Sequence, residues 1–296
     1  MLRKALLTTA LSLSVSAAHG GFLTFEATGA NPAAITSTRD AFRTAVGGDT
    51  TVGANGSFGG VRREINWDGV PNSFADPNFL PANFFNVNSP RSAVFSTPGS
   101  GFMVSANAGE SSPALFGFSG DFQTFSAQRL FTAIDSSITD VHFFVPGTNT
   151  AATTSAFGLI FVDVEVENLT KLQFFDQNDA LIFSRSASVF GNQGLTFLGG
   201  VANAGERISR VRITSGQNTI VSNGGLGNPN DDVVVMDDFL YAEPVQLQRV
   251  PEPPTFALLF LGLLVVFNRR RLRFGKFGWN VKYPTKHRTR WIGVMG

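Results

Sequence analysis

Cysteine is absent, which excludes disulfides, thiolate metal sites and cysteine nucleophiles. Of the three histidines, His19, His142 and His287, only His142 lies away from the two ends. A Ser-His-Asp relay needs a histidine to carry the serine proton, so any relay in this chain runs through His142. It sits in Asp140-Val141-His142-Phe143-Phe144, inside a strand-like run, and reads as a structural residue. No Gly-x-Ser-x-Gly elbow, phosphate loop or zinc signature accompanies it. Glycoside hydrolysis asks for only two carboxylates, but nothing singles out a pair among the acids. Two site readings are sharper. Glu26 lies near the start of the chain's central body, and Asp237-Asp238 lies in its last strand, after Asn230-Asp231-Asp232. In jelly rolls the first and last strands often pair; that pairing sets Glu26 beside Asp237 or Asp238, with hard oxygens for a structural calcium ion. Without an ion the same acids solvate a strand edge. Trp67, between Asn66 and Asp68 in a polar, loop-like stretch, suits a ring exposed for stacking on a sugar. No residue set asks for any other cofactor.

The scaffold that must position these residues is turn-rich and β. The chain has 296 residues and a mass of 31.7 kDa, with 43% apolar residues, 31 Gly and 30 Phe. Charged residues are 15% of the chain, against a usual ~25%. A helix opens at Asn31-Pro32, carries Ile35, Phe42 and Val46 on one face, and stops at Gly47-Gly48. Short β-runs between turn clusters follow. Residues 93–97 and 102–106 flank Pro98-Gly99-Ser100-Gly101 as a hairpin-like pair. Residues 157–166 form a long strand in which Val162, Val164 and Val166 alternate with Asp163, Glu165 and Glu167, giving one wet face. Residues 172–175 and 180–183 flank the turn Asp176-Gln177-Asn178-Asp179, and runs at 141–145, 195–201, 208–214 and 233–241 complete the set. No βαβ rhythm and no internal repeat is visible. The expectation is an all-β fold: one β-sandwich domain of jelly-roll kind over residues 22–245, with a single short N-terminal helix.

Charge divides the chain into three regions. Between Gly21 and Val250 there are 12 basic and 21 acidic residues, whereas after Glu252 nine basic residues stand with no acid. An acidic body argues against nucleic acid, which needs a basic face. Residues 1–20 read as a secretory signal: Arg3 and Lys4, an apolar run from Ala5 to Val15, then small residues at Ser16-Ala17-Ala18. Near the other end, Phe256 to Phe267 is apolar on all faces and precedes Arg269-Arg270-Arg271. As a transmembrane helix over 254–268 it spans about 22 Å at ~1.5 Å per residue. That is short for a ~30 Å hydrocarbon core, and arginine stems that snorkel recover part of the difference. Basic residues after the span favour a cytoplasmic C-terminus.

Pro251-Glu252-Pro253, the apolar run and the arginine cluster, in that order, resemble the PEP-CTERM sorting signal of bacterial exported proteins. The resemblance covers residues 250–271 and makes Pro251, Glu252, Pro253, Arg269, Arg270 and Arg271 the sorting residues. It implies recognition and cleavage by an exosortase, an intramembrane cysteine transpeptidase, with the body held by the membrane until processing and then left at the cell surface or in the exopolysaccharide matrix. Residues 64–71 and 84–90 are similar to stretches in uncharacterised bodies of such proteins. Residues 272–296 depart from the pattern, since family members usually stop soon after the arginines; this basic, aromatic tail reads as a disordered extension. The leading expectation is a non-enzymatic surface or matrix protein. A calcium-stabilised glycan-binding module and an exopolysaccharide hydrolase are the alternatives.

Overall fold

A computed structural model describes residues 21–50, 57–58, 60–228 and 231–246. The predicted leader at 1–20, the sorting residues Pro251, Glu252, Pro253 and Arg269 to Arg271, the predicted span at 254–268 and the tail lie outside these residues. The chain divides into two units after Leu247. Among the described residues no helix is long and apolar enough to cross a membrane.

The first strand, β1 (Phe22–Gly29), leads into a helix because Asn31 and Pro32 start one. The Asn31 side chain accepts the Ala34 amide at 3.2 Å, and Pro32 occupies the first turn, where a missing N–H costs nothing. The helix α1 (Pro32–Val46) ends at Gly47, whose φ of 111° disfavours other residues and whose N–H caps the Arg43 carbonyl at 2.9 Å. Ile35 and Phe42 are fully buried, as their spacing predicts.

The rest is strand and turn. β2 (Ser57–Phe58) and β3 (Arg62–Ile65) come first, followed by a one-turn helix α2 (Phe84–Val87). Next are β4 (Ala93–Ser96), β5 (Gly101–Val104), β6 (Phe131–Ile134), β7 (Ile138–Phe143) and β8 (Ala152–Thr153). Then come β9 (Ala156–Val162), β10 (Lys171–Phe175), β11 (Leu181–Ser186) and β12 (Leu195–Ala202). β13 (Arg210–Thr214), β14 (Val235–Ala242) and β15 (Val245–Gln246) complete the order. The larger sheet runs β1-β12-β9-β14-β3-β2, with β6 bonded to β14 and to β5. A second sheet runs β11-β10-β13-β7-β4, and β15 pairs with β8. All named pairings are antiparallel. The fold is mostly β, as composition and turn spacing predict.

Burial of the larger sheet on both faces explains its central strands. Phe157, Leu159 and Phe161 of β9 join a cluster with Phe143, Leu172, Phe174, Val211 and Ile213 of the second sheet. Alternate residues Ala156, Ile160 and Val162 join a different cluster with Ile35 and Phe42 of α1. Since successive side chains point to opposite faces, a strand covered on both sides must be apolar throughout, and β9 is. Gly158 and Gly199 let α1 come close: a Cβ on Gly199 would sit 2.8 Å from the Phe42 ring.

Three local expectations change. Strand β9 stops at Val162, and Asp163 turns the chain with φ 74°; Asp163 is buried and Val166 exposed, so the Val/acid alternation is not a wet strand face. β4 and β5 do not form a hairpin: β4 pairs with β7 in the second sheet and β5 with β6 in the first. Their apolar faces meet across the core instead, with the Phe95 and Phe102 rings 5.7 Å apart. Finally, β1 and β14 are not neighbours, because β12 and β9 stand between them. The β10–β11 hairpin forms as read, with Asp176 Oδ1 accepting the Asn178 and Ala180 amides at 2.8 and 2.9 Å.

Candidate functional site

The intervening strands separate the predicted calcium ligands. Neighbouring strands lie ~4.8 Å apart, so two intervening strands hold Glu26 far from Asp237 and Asp238. Glu26 and Asp237 are also occupied, whereas Asp238 Oδ1 is buried without a hydrogen-bond partner. Glu26 accepts the Ser188 amide at 2.8 Å and its hydroxyl at 2.7 Å through Oε1, and Arg185 at 3.0 Å through Oε2. Asp237 is fully buried, and its Oδ2 accepts the Phe125 amide at 2.6 Å. Its Oδ1 accepts the Ser126 hydroxyl at 3.0 Å and the Asp238 amide at 2.8 Å. A register shift between Met236 and Phe239 accompanies the burial of both adjacent acids. Burial, then the neighbouring Asp238 charge, push Asp237 well above the usual carboxylate range, and burial lifts Asp238 to about 6. The structure therefore does not assemble a calcium site from Glu26, Asp237 and Asp238.

Nor is Trp67 an exposed platform. It is 1% exposed, its ring stacks on Phe131 at 4.0 Å and 2°, and its Nε1–H donates to the Asp237 carbonyl at 3.0 Å. With φ of 62° the backbone turns the indole inward, while Asp68 accepts the Gln128 and Arg129 amides at 3.1 Å each. The polar neighbours that suggested exposure serve to hold a loop.

His142 projects beside Ser96, with Nε2 3.2 Å from Oγ. Burial lowers its pKa from the ordinary value. Asp140, two residues earlier on the same strand face, is held by Arg210 at 3.0 Å and by Arg212 at 2.9 and 2.7 Å. The carboxylate thus orients two arginines of β13, and no hydrogen bond joins it to the imidazole among the described contacts.

A different acidic group does come together. Asp163 and Glu165 follow β9, and Asp232 precedes β14, the antiparallel neighbour of β9. One carboxylate oxygen from each lies within 4.8 Å of the other two. Asp163 and Asp232 are buried, whereas Glu165 is exposed. Asp163 Oδ1 accepts the Gln193 amide at 2.8 Å, and Gln193 in turn donates to the Ser119 and Gly120 carbonyls at 3.0 Å each. The Asp232 carbonyl accepts the Asn218 amide at 3.0 Å. Burial, reinforced by Glu165, Asp232 and Asp121, raises Asp163 to about 7. Burial and the Glu165 charge raise Asp232 to about 6.

Outside this folded body, residues 249–271 match the family model of the PEP-CTERM protein-sorting motif. The chain carries a PEP-CTERM sorting motif. The matched residues contain Pro251-Glu252-Pro253 and Arg269-Arg270-Arg271. The PEP-CTERM motif marks the chain as an exported exosortase substrate with a membrane-anchored precursor. No curated protein and no solved structure matches the chain.

In this PEP-CTERM protein the acidic group at Asp163, Glu165 and Asp232 was visible in sequence only as separate pieces. Asp163-Val164-Glu165 looks like a strand continuing with one polar face, and Asp231-Asp232 like a turn. The signal that joins them is the pairing of β9 with β14, a contact between segments some 70 residues apart that no local pattern encodes.

Proposed function

We propose that the chain is an exported, non-enzymatic component of the bacterial cell surface or of its exopolysaccharide matrix. The observation that carries this reading is the PEP-CTERM motif at 249–271. In it, the leader at 1–20 takes the chain across the membrane. The helix at 254–268 holds it there with Arg269, Arg270 and Arg271 on the cytoplasmic side. Exosortase then cuts near Pro251-Glu252-Pro253 and leaves residues 22–245 outside the cell. We read that body as a single β-sandwich, a reading supported by two antiparallel sheets whose side chains share one core. A passive role is supported by the engagement of Asp140 with two arginines and by the closed stacking of Trp67.

Mass spectrometry of the native protein tests the proposal, in cells with and without exosortase. The expected product in normal cells is a surface- or matrix-associated chain lacking residues 1–20 and the arginine cluster. Without exosortase, the membrane fraction should hold a chain that ends after Arg271. Native protein recovered from the cytosol with both ends intact would overturn the reading.

A further inference from the structure

The acidic group between β9 and β14 gathers three carboxylates, two of them buried, and none is in an ion pair among the described residues. Several other buried or half-buried acids have arginine partners: Glu64 has Arg43 and Arg62, Asp140 has Arg210 and Arg212, and Glu243 has Arg63; the buried Asp237 has the Phe125 amide and the Ser126 hydroxyl instead. The charged groups that act on Asp163 are Glu165, Asp232 and Asp121, all of them acids. Asp232 supplies a second and independent observation. It is 7% exposed, and neither carboxylate oxygen has a hydrogen-bond partner. The amides of Glu165 and Val166 lean towards it and favour its ionised form without reaching hydrogen-bond geometry. An ionised carboxylate buried without a partner costs several kcal/mol, so such a group takes a proton or a cation.

The spacing suits a cation. Two oxygens on one calcium ion, each at ~2.4 Å, lie at most about 4.8 Å apart. The three carboxylates meet that limit pairwise, the condition that any set sharing one ion must satisfy. Oxygen-only ligands without nitrogen or sulfur select a hard cation. Calcium accepts irregular sets of six to eight oxygens, whereas magnesium demands a near-ideal octahedron. We infer that Asp163, Glu165 and Asp232 bind one calcium ion, which fastens the end of β9 to the segment entering β14. This inference stands independently of the export reading.

The test uses the full-length chain in mild detergent, stripped with EDTA, titrated with calcium chloride by calorimetry and melted with and without calcium. At about pH 8 the expected result is a one-site isotherm in the ~10⁻⁴–10⁻³ M range of extracellular modules and a higher melting temperature with calcium. At about pH 5 both effects shrink, because protons on Asp163 and Asp232 compete with the ion. Asp232→Asn should lose the isotherm and the calcium shift, yet melt in EDTA at or above the parent, since the charge removed is an unpaired one. If that variant fails to fold, Glu165→Gln decides: the residue is exposed, and its loss should weaken calcium binding at least about tenfold, the loss of one charged ligand. Equal melting in calcium and EDTA with no heat of binding overturns the inference. So does an unchanged isotherm in Glu165→Gln, or a magnesium shift as large as that of calcium.

Discussion

Trp67 shows how far a residue's neighbours can mislead about its own surroundings. Asn66 and Asp68 are polar, but the indole between them touches Phe85, Phe95, Phe131 and Phe239. Truncation would remove the largest fully buried side chain of the body, so Trp67→Ala should cost about 3–5 kcal/mol. Urea unfolding of the full-length chain, followed by circular dichroism, checks this; a loss under about 1 kcal/mol would show that the cavity collapses freely. Asp237 permits a finer comparison. Burial favours its protonated form, so Asp237→Asn replaces one neutral group with another and keeps an acceptor for the Phe125 amide. Asp237→Ala strands that amide and the Ser126 hydroxyl. The alanine variant should therefore be less stable than the asparagine variant by about 1–3 kcal/mol, the cost of an unmet buried polar group. Equal losses in the same unfolding assay would mean that water enters and satisfies the donors.

Elements in this protein are held in place by a few contacts that short sequence windows do not report. The end of α1 is clamped to β3 by Glu64, which accepts Arg43 at 2.9 and 2.6 Å and Arg62 at 2.6 Å. Arg62 also donates to the Gly47 and Asp49 carbonyls at 2.8 Å each. Glu64→Ala removes the buried carboxylate shared by Arg43 and Arg62 and leaves Arg43 only Asp40, at 3.1 Å, as an acidic partner, so it should destabilise the chain by about 3–5 kcal/mol, read as a lower urea midpoint with an unchanged slope. The helix itself was legible because its signals are local: the Asn31 cap, Pro32, the seven-residue step from Ile35 to Phe42, and the glycine stop. The β10–β11 hairpin was legible for the same reason, since Asp176 folds its own turn. Turn chemistry could not say that Pro98-Gly99-Ser100-Gly101 carries the chain from one sheet to the other. Alternation could not say that β9 ends at Val162, because the pattern runs on through Asp163 and Val164 after the strand has stopped. Pairing order was equally hidden, and with it the fact that Asp232 rather than Glu26 would meet a second acid.

At the scale of the whole molecule, buried acids should set the pH dependence of stability. Asp163 is raised to about 7, Asp232 and Asp238 to about 6, and Asp237 well above its usual range, in each case chiefly by burial. In the unfolded chain carboxylates titrate near ~4. Between ~4 and ~7 the folded state therefore binds more protons than the unfolded state, and stability falls as pH rises through that window. Other groups oppose this. Burial depresses His142, so the unfolded chain takes up a proton below ~6.5 that the folded chain refuses, and stability is lost as pH falls there. Asp140 is also depressed: burial works against its charge, but Arg212 and Arg210 outweigh burial, and its contribution disappears only below the usual carboxylate range. These raised carboxylates, with Asp76 also raised by burial, outnumber the histidine and leave a net fall with rising pH, on the order of a few kcal/mol. In EDTA the full-length chain should thus melt higher at about pH 5 than at about pH 8. Replacing Asp163 and Asp232 with asparagine should flatten the slope by removing two of the groups that cause it. A melting temperature that instead climbs from pH 5 to pH 8 would show that these carboxylates ionise in the folded state as readily as in the unfolded one, with water or polar groups reaching them.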